Sequence, residues 1–111
     1  MEQNRTPRMT IPTQLVLRAL LADPSKELYG VEVGQAAGLP SGTVHPILAR
    51  LATVGWLTSR WEDIDPRAEG RPARRYYRLT PEGMELAPAA LARAYQATAR
   101  PAWLRPLGEG S

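Results

Sequence analysis

Cysteine is absent from the 111 residues and histidine occurs once. Disulfide frameworks, thiol nucleophiles, Cys/His zinc sites and iron–sulfur ligation are therefore excluded, and no cofactor or metal is expected. Long apolar runs are missing as well. The longest, around Leu15 to Ala22, is interrupted by Arg18 and closed by Asp23 and Pro24, short of the ~18–20 apolar residues that a membrane span requires. No membrane partner is expected. The polar start from Met1 to Thr10 carries Arg5 and Arg8 but no apolar stretch that would mark secretion, so the expected location is cytoplasmic. What is present suits one folded domain: 43% hydrophobic and 23% charged residues, at a length that excludes two independent cores. The net charge of +3 admits an anionic partner, and the placement of the charges decides whether one is meant.

Residues 1–12, punctuated by Pro7 and Pro12, read as a loose arm. Thr13 is then the expected N-cap of a first helix through Leu15, Val16, Leu17, Ala19, Leu20 and Leu21, which Asp23 and Pro24 must end. A second short helix fits Tyr29 to Ala37, with Val31, Val33, Ala36 and Ala37 as packing residues and Gly38 as the left-handed residue after it. Val44, Ile47, Leu48, Leu51 and Val54 form a single helical stripe for a third helix, closed by Gly55. Pro46 is tolerable only in its first turn, so regular helix is expected to begin near Thr43.

After Gly55 the period changes to two. Leu57, Ser59 and Trp61 alternate with Thr58, Arg60 and Glu62, and further on Arg75, Tyr77 and Leu79 alternate with Arg74, Tyr76 and Arg78. The intervening Asp63, Asp65, Pro66, Gly70 and Pro72 make the pair a hairpin with a long polar loop. Thr80 and Pro81 then open a final helix with Met84, Ala87, Leu91, Ala94, Tyr95 and Thr98 on its apolar stripe, and Pro88 is expected to kink or break it. The fold class is mostly α with a small β-hairpin. The order helix, helix, helix, strand, charged loop, strand, helix is that of a winged helix-turn-helix, whose second paired helix enters the DNA major groove while the hairpin reaches a neighbouring groove or the backbone.

The charges agree with that topology. Between Arg67 and Arg78 lie five arginines (Arg67, Arg71, Arg74, Arg75 and Arg78) against one acid, Glu69, a density suited to phosphate. Glu62, Asp63 and Asp65 stand nearby; they orient the arginines, repel DNA or are simply solvated, and the sequence leaves these open. On the exposed side of the third helix, Thr43, His45, Arg50 and Thr53 are candidates for phosphate or base contacts, Arg50 foremost for base reading. Tyr29 and Ser41, at the starts of the second and third helices, complete the candidate DNA-binding set with Arg71, Arg74 and Arg75.

Leu28-Tyr29-Gly30, the run SGTVHPILARL from Ser41 to Leu51, Gly55-Trp56-Leu57 and GRPARRYYRLTPEG from Gly70 to Gly83 resemble the PadR-like transcriptional regulators in order and approximate spacing. By length the chain resembles the small subfamily with a single C-terminal helix. The resemblance implies a homodimeric repressor of double-stranded DNA, paired through its C-terminal and first helices. It also implies aromatic residues near the dimer axis that sense a small aromatic effector. Met84, Leu91, Tyr95 and Trp103 are the corresponding dimer or ligand candidates. The expected division is a flexible arm over residues 1–12, a winged helix-turn-helix over 13–80, a dimerisation helix over 81–104 and a flexible tail over 105–111.

Two other readings compete. A winged helix can be a protein-interaction module whose arginine hairpin docks an acidic partner. An enzyme reading would need Glu62, Asp63 and Asp65 to hold a metal or act as acid and base, yet no histidine or second carboxylate cluster converges on them, so no catalytic residue is expected.

Overall fold

The computed structural model describes residues 6–99, with side chains as far as residue 97. Trp103, the tail over 105–111 and the first five residues of the arm lie outside the described residues. The first helix, α1, runs Ile11–Leu21 and begins earlier than the Thr13 cap foreseen from the sequence. Thr10 is the N-cap: its hydroxyl accepts the Thr13 N–H at 3.3 Å, with Pro12 in the first turn where no N–H partner is needed. Thr13 is instead buried, as is Gln14, and both are satisfied, Thr13 by the Thr10 hydroxyl at 3.0 Å and Gln14 by the Met9 carbonyl at 2.8 Å.

Leu28 and Tyr29 form a two-residue strand, β1, that feeds directly into α2 at Gly30–Ala37. Tyr29 is thus the N-cap of α2, its backbone N–H donating to Glu32 Oε1 at 3.1 Å. Val33 packs inward, but Val31 and Ala36, expected as packing residues, are exposed. In so short a helix only about two residues fall on the inner stripe. Helix α3 spans Ser41–Thr53 and buries Val44, Ile47, Leu48 and Leu51. It starts at Ser41, not near Thr43, and carries Pro46 inside it. The carbonyl that Pro46 leaves without a donor belongs to Gly42, an exposed position where water reaches it. Gly38 and Gly55 adopt φ of 73° and 87°, left-handed values that stop α2 and turn the chain from α3 into the sheet.

Strands β2, Leu57–Trp61, and β3, Arg75–Leu79, pair antiparallel in the register Leu57↔Leu79, Ser59↔Tyr77 and Trp61↔Arg75, and β1 adds to the other side of β3 through Leu28↔Tyr77 and Tyr29↔Tyr76. The expected hairpin is therefore part of a three-stranded sheet in the order β1-β3-β2. Its long loop contains a short helix, α4, at Pro66–Glu69, capped by Asp65 and closed by Gly70. The last helix, α5, is continuous over Pro81–Ala99 with Pro88 inside it, so of the kink or break expected there the break does not occur. Its core-facing residues are Gly83, Ala87 and Ala90, with Leu86 and Leu91 half-buried, whereas Met84 and Tyr95 are 38% and 56% exposed. Val16, Leu17, Leu20, Leu48, Leu51 and Trp56 fill the centre of one core shared by all three main helices, the sheet and α5.

Candidate nucleic-acid interface

The wing is built around one carboxylate. Glu62, at the end of β2, donates its backbone N–H to the Arg74 carbonyl at 2.7 Å, and its Oε1 accepts the Arg74 N–H at 3.1 Å. The Arg71 guanidinium grips the same carboxylate with two bonds of 2.8 and 2.9 Å. Those bonds to Arg71, reinforced by the Arg74 N–H and both positive charges, hold the Glu62 carboxyl down to about 2. Asp65 accepts the Arg67 N–H at 3.1 Å and so caps α4. Two of the three acids left open by the sequence, Glu62 and Asp65, thus shape the loop. No trio of His, Asp or Glu among the described residues is placed to hold a metal ion.

Arg74, Arg75 and Arg60 lie on aromatic faces. Arg74 stands 4.5 Å over the ring of Tyr29, which meets Tyr76 edge-on with ring centres 5.6 Å apart. Arg75 sits 5.4 Å from Trp61 and 5.9 Å from Tyr77, and its Nε donates to Ser59 Oγ at 3.1 Å. Arg60 lies 5.2 Å over Tyr76 and pairs with Glu27 at 2.7 and 2.8 Å, which lowers the Glu27 carboxyl below its ordinary range. Such stacking restricts a long side chain without neutralising it, so less rotamer freedom is lost when the guanidinium meets an anion. Among the described residues, Arg74 and Arg75 have no carboxylate within ion-pair distance.

Helix α3 presents Ser41, His45, Ala49, Arg50 and Thr53 to solvent and leaves Thr43 half-buried. Thr53 folds its hydroxyl back to the Ala49 carbonyl at 2.9 Å. The His45 ring lies so close to Gly30 that a methyl there would come within 2.6 Å of its Cε1. His45 also lines a cleft of ≈ 300 Å³ with Tyr29, Gly30, Val31, Trp61 and the wing residues Ala73, Arg74 and Arg75. The N-terminal part of α3, the start of α2 and the root of the wing therefore open on one concave face. Ser41, Thr43, Arg50, Thr53 and Arg71 are not part of that lining. Trp61, 61% exposed, belongs to it and was not among the expected contacts; its place opposite Arg75 in a two-residue alternation was the available signal. Met84, Leu91 and Tyr95 lie on α5, outside this face.

Three helices, a three-stranded sheet with an arginine-bearing loop and a flanking helix define a winged helix-turn-helix regulator. The family model described as the transcriptional regulator PadR-like family matches residues 19–88, more than half of the chain. The chain belongs to that family. No curated protein matches it.

Among solved structures, the chain is similar to Bordetella bronchiseptica BpsR, whose DNA binding is regulated by 6-hydroxynicotinic acid: 25% identity, TM-score 0.63, covering 83% of this chain and 60% of that one. It is also similar to reduced AbfR bound to DNA, at 25% identity and TM-score 0.60 over 80% of this chain and 58% of that one. The circadian clock associated protein Pex from Anabaena matches at 26% identity and TM-score 0.56, over 80% and 77%. The chain thus spans about three-fifths of the length of BpsR and AbfR.

Proposed function

We propose that the protein is a homodimeric repressor that binds an inverted-repeat operator in double-stranded DNA, in the cytoplasm. The carrying observation is the shared face on which His45 of α3 meets Arg74 and Arg75 of the wing. A duplex laid on it meets α3 in its major groove and the wing along its backbone. Arg67, Arg74 and Arg75 supply phosphate affinity and salt dependence, while Arg50, with the hydroxyls of Ser41 and Thr43, supplies sequence choice. AbfR, similar in fold, was seen on DNA. Two protomers would set their α3 helices about 34 Å apart, one turn of duplex. The exposed Met84 and Tyr95 and the half-buried Leu91 on α5 offer the pairing surface. A small aromatic effector would act there, at Tyr95 and Trp103; BpsR, whose DNA binding answers to an aromatic acid, supports such regulation.

Selection of bound fragments from random duplex DNA tests this directly. Recovery of a symmetric site whose half-sites repeat at about one helical turn is expected. A folded protein that retains no duplex at low salt overturns the reading and favours an interaction module that docks an acidic protein.

A further inference from the structure

Arg60, Tyr76 and Tyr29 stand in one row across the sheet. Arg60 of β2 lies opposite Tyr76 of the central strand, and Tyr76 lies opposite Tyr29 of β1. Residues directly opposite one another in neighbouring strands project to the same side of a sheet, so the row occupies one face at the root of the wing. Arg74, two positions before Tyr76, falls on that face as well.

The row is tied at one end by a carboxylate. Glu27, two positions before Tyr29, accepts Arg60 Nε at 2.8 Å and Nη2 at 2.7 Å. The pair links the segment entering β1 to β2 and so spans the central strand between them, with the Arg60 guanidinium 5.2 Å from the centre of the Tyr76 ring. A bidentate pair fixes the guanidinium plane, and that plane in turn confines the phenol ring beneath it. Tyr76 meets Tyr29 at an interplanar angle of 72° with ring centres 5.6 Å apart, the edge-to-face arrangement in which ring quadrupoles attract. Tyr29 then carries the Arg74 guanidinium at 4.5 Å.

The backbone contacts nearby leave these side chains free. Glu62 accepts the Arg74 N–H at 3.1 Å and donates to its carbonyl at 2.7 Å, which fixes the main chain but not the long side chain. Glu32 Oε1 accepts the Tyr29 N–H at 3.1 Å, which likewise leaves the ring to turn. Among the described residues Arg74 has no carboxylate in ion-pair range. Its guanidinium is therefore confined by the face of Tyr29, and that face by Tyr76.

We propose that Tyr76, clamped by the Glu27–Arg60 pair, is a positioning residue for Arg74. It holds the Tyr29 ring at the angle on which the guanidinium rests, and so aims that guanidinium at a phosphate without touching DNA itself. The aim at a phosphate rests on the DNA-binding reading above; the hold on Arg74 does not.

Side-chain Nε–Hε NMR of Arg74 in the full chain, with no duplex present, reads the hold. In the parent protein the signal should be displaced by the Tyr29 ring current. Tyr76→Phe keeps the ring and should leave the signal there, whereas Tyr76→Leu should return it to the position of an exposed arginine. The double variant Glu27→Gln/Arg60→Gln removes the clamp at unchanged net charge, from side chains that both reach solvent, and should move the signal the same way by a smaller amount. Amide spectra report the folding of each variant, and if Tyr76→Leu does not fold the double variant decides alone. A signal that stays in place in Tyr76→Leu, or moves as far in Tyr76→Phe, overturns the positioning role; one that stays in place in the double variant overturns the clamp.

Titration of a labelled duplex at several salt concentrations reads the consequence. Tyr76→Leu retains every charge, so it should weaken the duplex about two- to fivefold with the salt slope unchanged, whereas Arg74→Gln should lower the slope by about 1. In an Arg74→Gln background Tyr76→Leu should cost nothing further. A loss of the same size in both backgrounds overturns the proposal, because the ring would then act on the duplex by another route than Arg74. An Arg74 signal that responds as expected in a chain that never binds a duplex refutes the DNA reading while upholding the hold on Arg74.

Discussion

The carboxylate of Glu62 binds Arg71 through both guanidinium nitrogens, at 2.8 and 2.9 Å, and takes the backbone N–H of Arg74 at 3.1 Å besides. The folded protein keeps this group ionised down to about 2, whereas the unfolded chain protonates it near 4.5. The unfolded state therefore binds the proton first as acid is added. The stabilisation is complete above about 4.5 and is lost as pH falls toward 2. Glu62→Gln should accordingly lower the urea midpoint at neutral pH, and the gap from the parent protein should close in acid. A gap of constant size from pH 7 down to the acid limit would show that the pair does not titrate with folding.

The same pair changes what each wing arginine brings to DNA. Arg71 arrives already neutralised, while Arg75 has no carboxylate in ion-pair range among the described residues. Arg75→Gln should weaken operator and random duplex alike and reduce the slope of log affinity against log salt by about 1. Arg71→Gln should also weaken binding, because it leaves the Glu62 charge bare at the wing root. Removing that charge as well, in the Arg71→Gln/Glu62→Gln double variant, should recover most of the loss. Titration of one labelled duplex at several salt concentrations measures all three; failure of the double variant to recover would mean that Arg71 contacts phosphate itself.

Thr80 joins the sheet to α5. Its hydroxyl donates to the Gly55 carbonyl at 2.7 Å and accepts the Gly83 N–H at 2.9 Å, while its own N–H donates to the Trp56 carbonyl at 2.9 Å. Thr80→Ala removes the side-chain bonds at once and should destabilise the fold by about 1–2 kcal/mol; Thr80→Ser should retain most of the stability. Gly83→Ala should be worse than Thr80→Ala, because a methyl there runs into the Trp56 carbonyl, a backbone atom that cannot step aside. Urea denaturation of the three variants ranks them.

Whether α5 pairs protomers is open to a charge placed on it. Tyr95 is 56% exposed with Arg18 5.8 Å over its ring. Tyr95→Glu should shift the protein from dimer to monomer in sedimentation without loss of helix content. A variant that sediments as the parent does would move the dimer surface elsewhere.

The elements that repeat over several turns or several pairs were readable from the chain: the α3 stripe of Val44, Ile47, Leu48 and Leu51, the alternation of Leu57 to Trp61 with Arg75 to Leu79, and Thr80 with Pro81 at the start of α5. β1 was not, since Leu28 and Tyr29 are too few to show a period of two. Val31 and Ala36 misled because an eight-residue helix offers little stripe to count. At the candidate site the residue types were legible and their commitments were not. Glu62 meets Arg71 across nine positions and Glu27 meets Arg60 across 33, distances at which only the register of the sheet decides who neutralises whom. The wing arginines therefore looked equivalent in the sequence, and pairing makes them unequal.

His45 owes its position to Gly30, and this contact separates positioning from folding. Gly30 opens α2 without a left-handed backbone, so alanine is acceptable there and should even favour the helix by roughly 0.5–1 kcal/mol. Its methyl would come within 2.6 Å of His45 Cε1, the far end of a side chain that can rotate away. Gly30→Ala should therefore leave thermal stability within about 1 kcal/mol of the parent while turning His45 off the shared face, and duplex affinity should fall with it. In a His45→Ala background the obstruction is gone, so Gly30→Ala should then have no further effect on duplex affinity. A loss of the same size in both backgrounds would show that the methyl disturbs the entry to α2 itself, and His45 would lose its place among the DNA contacts.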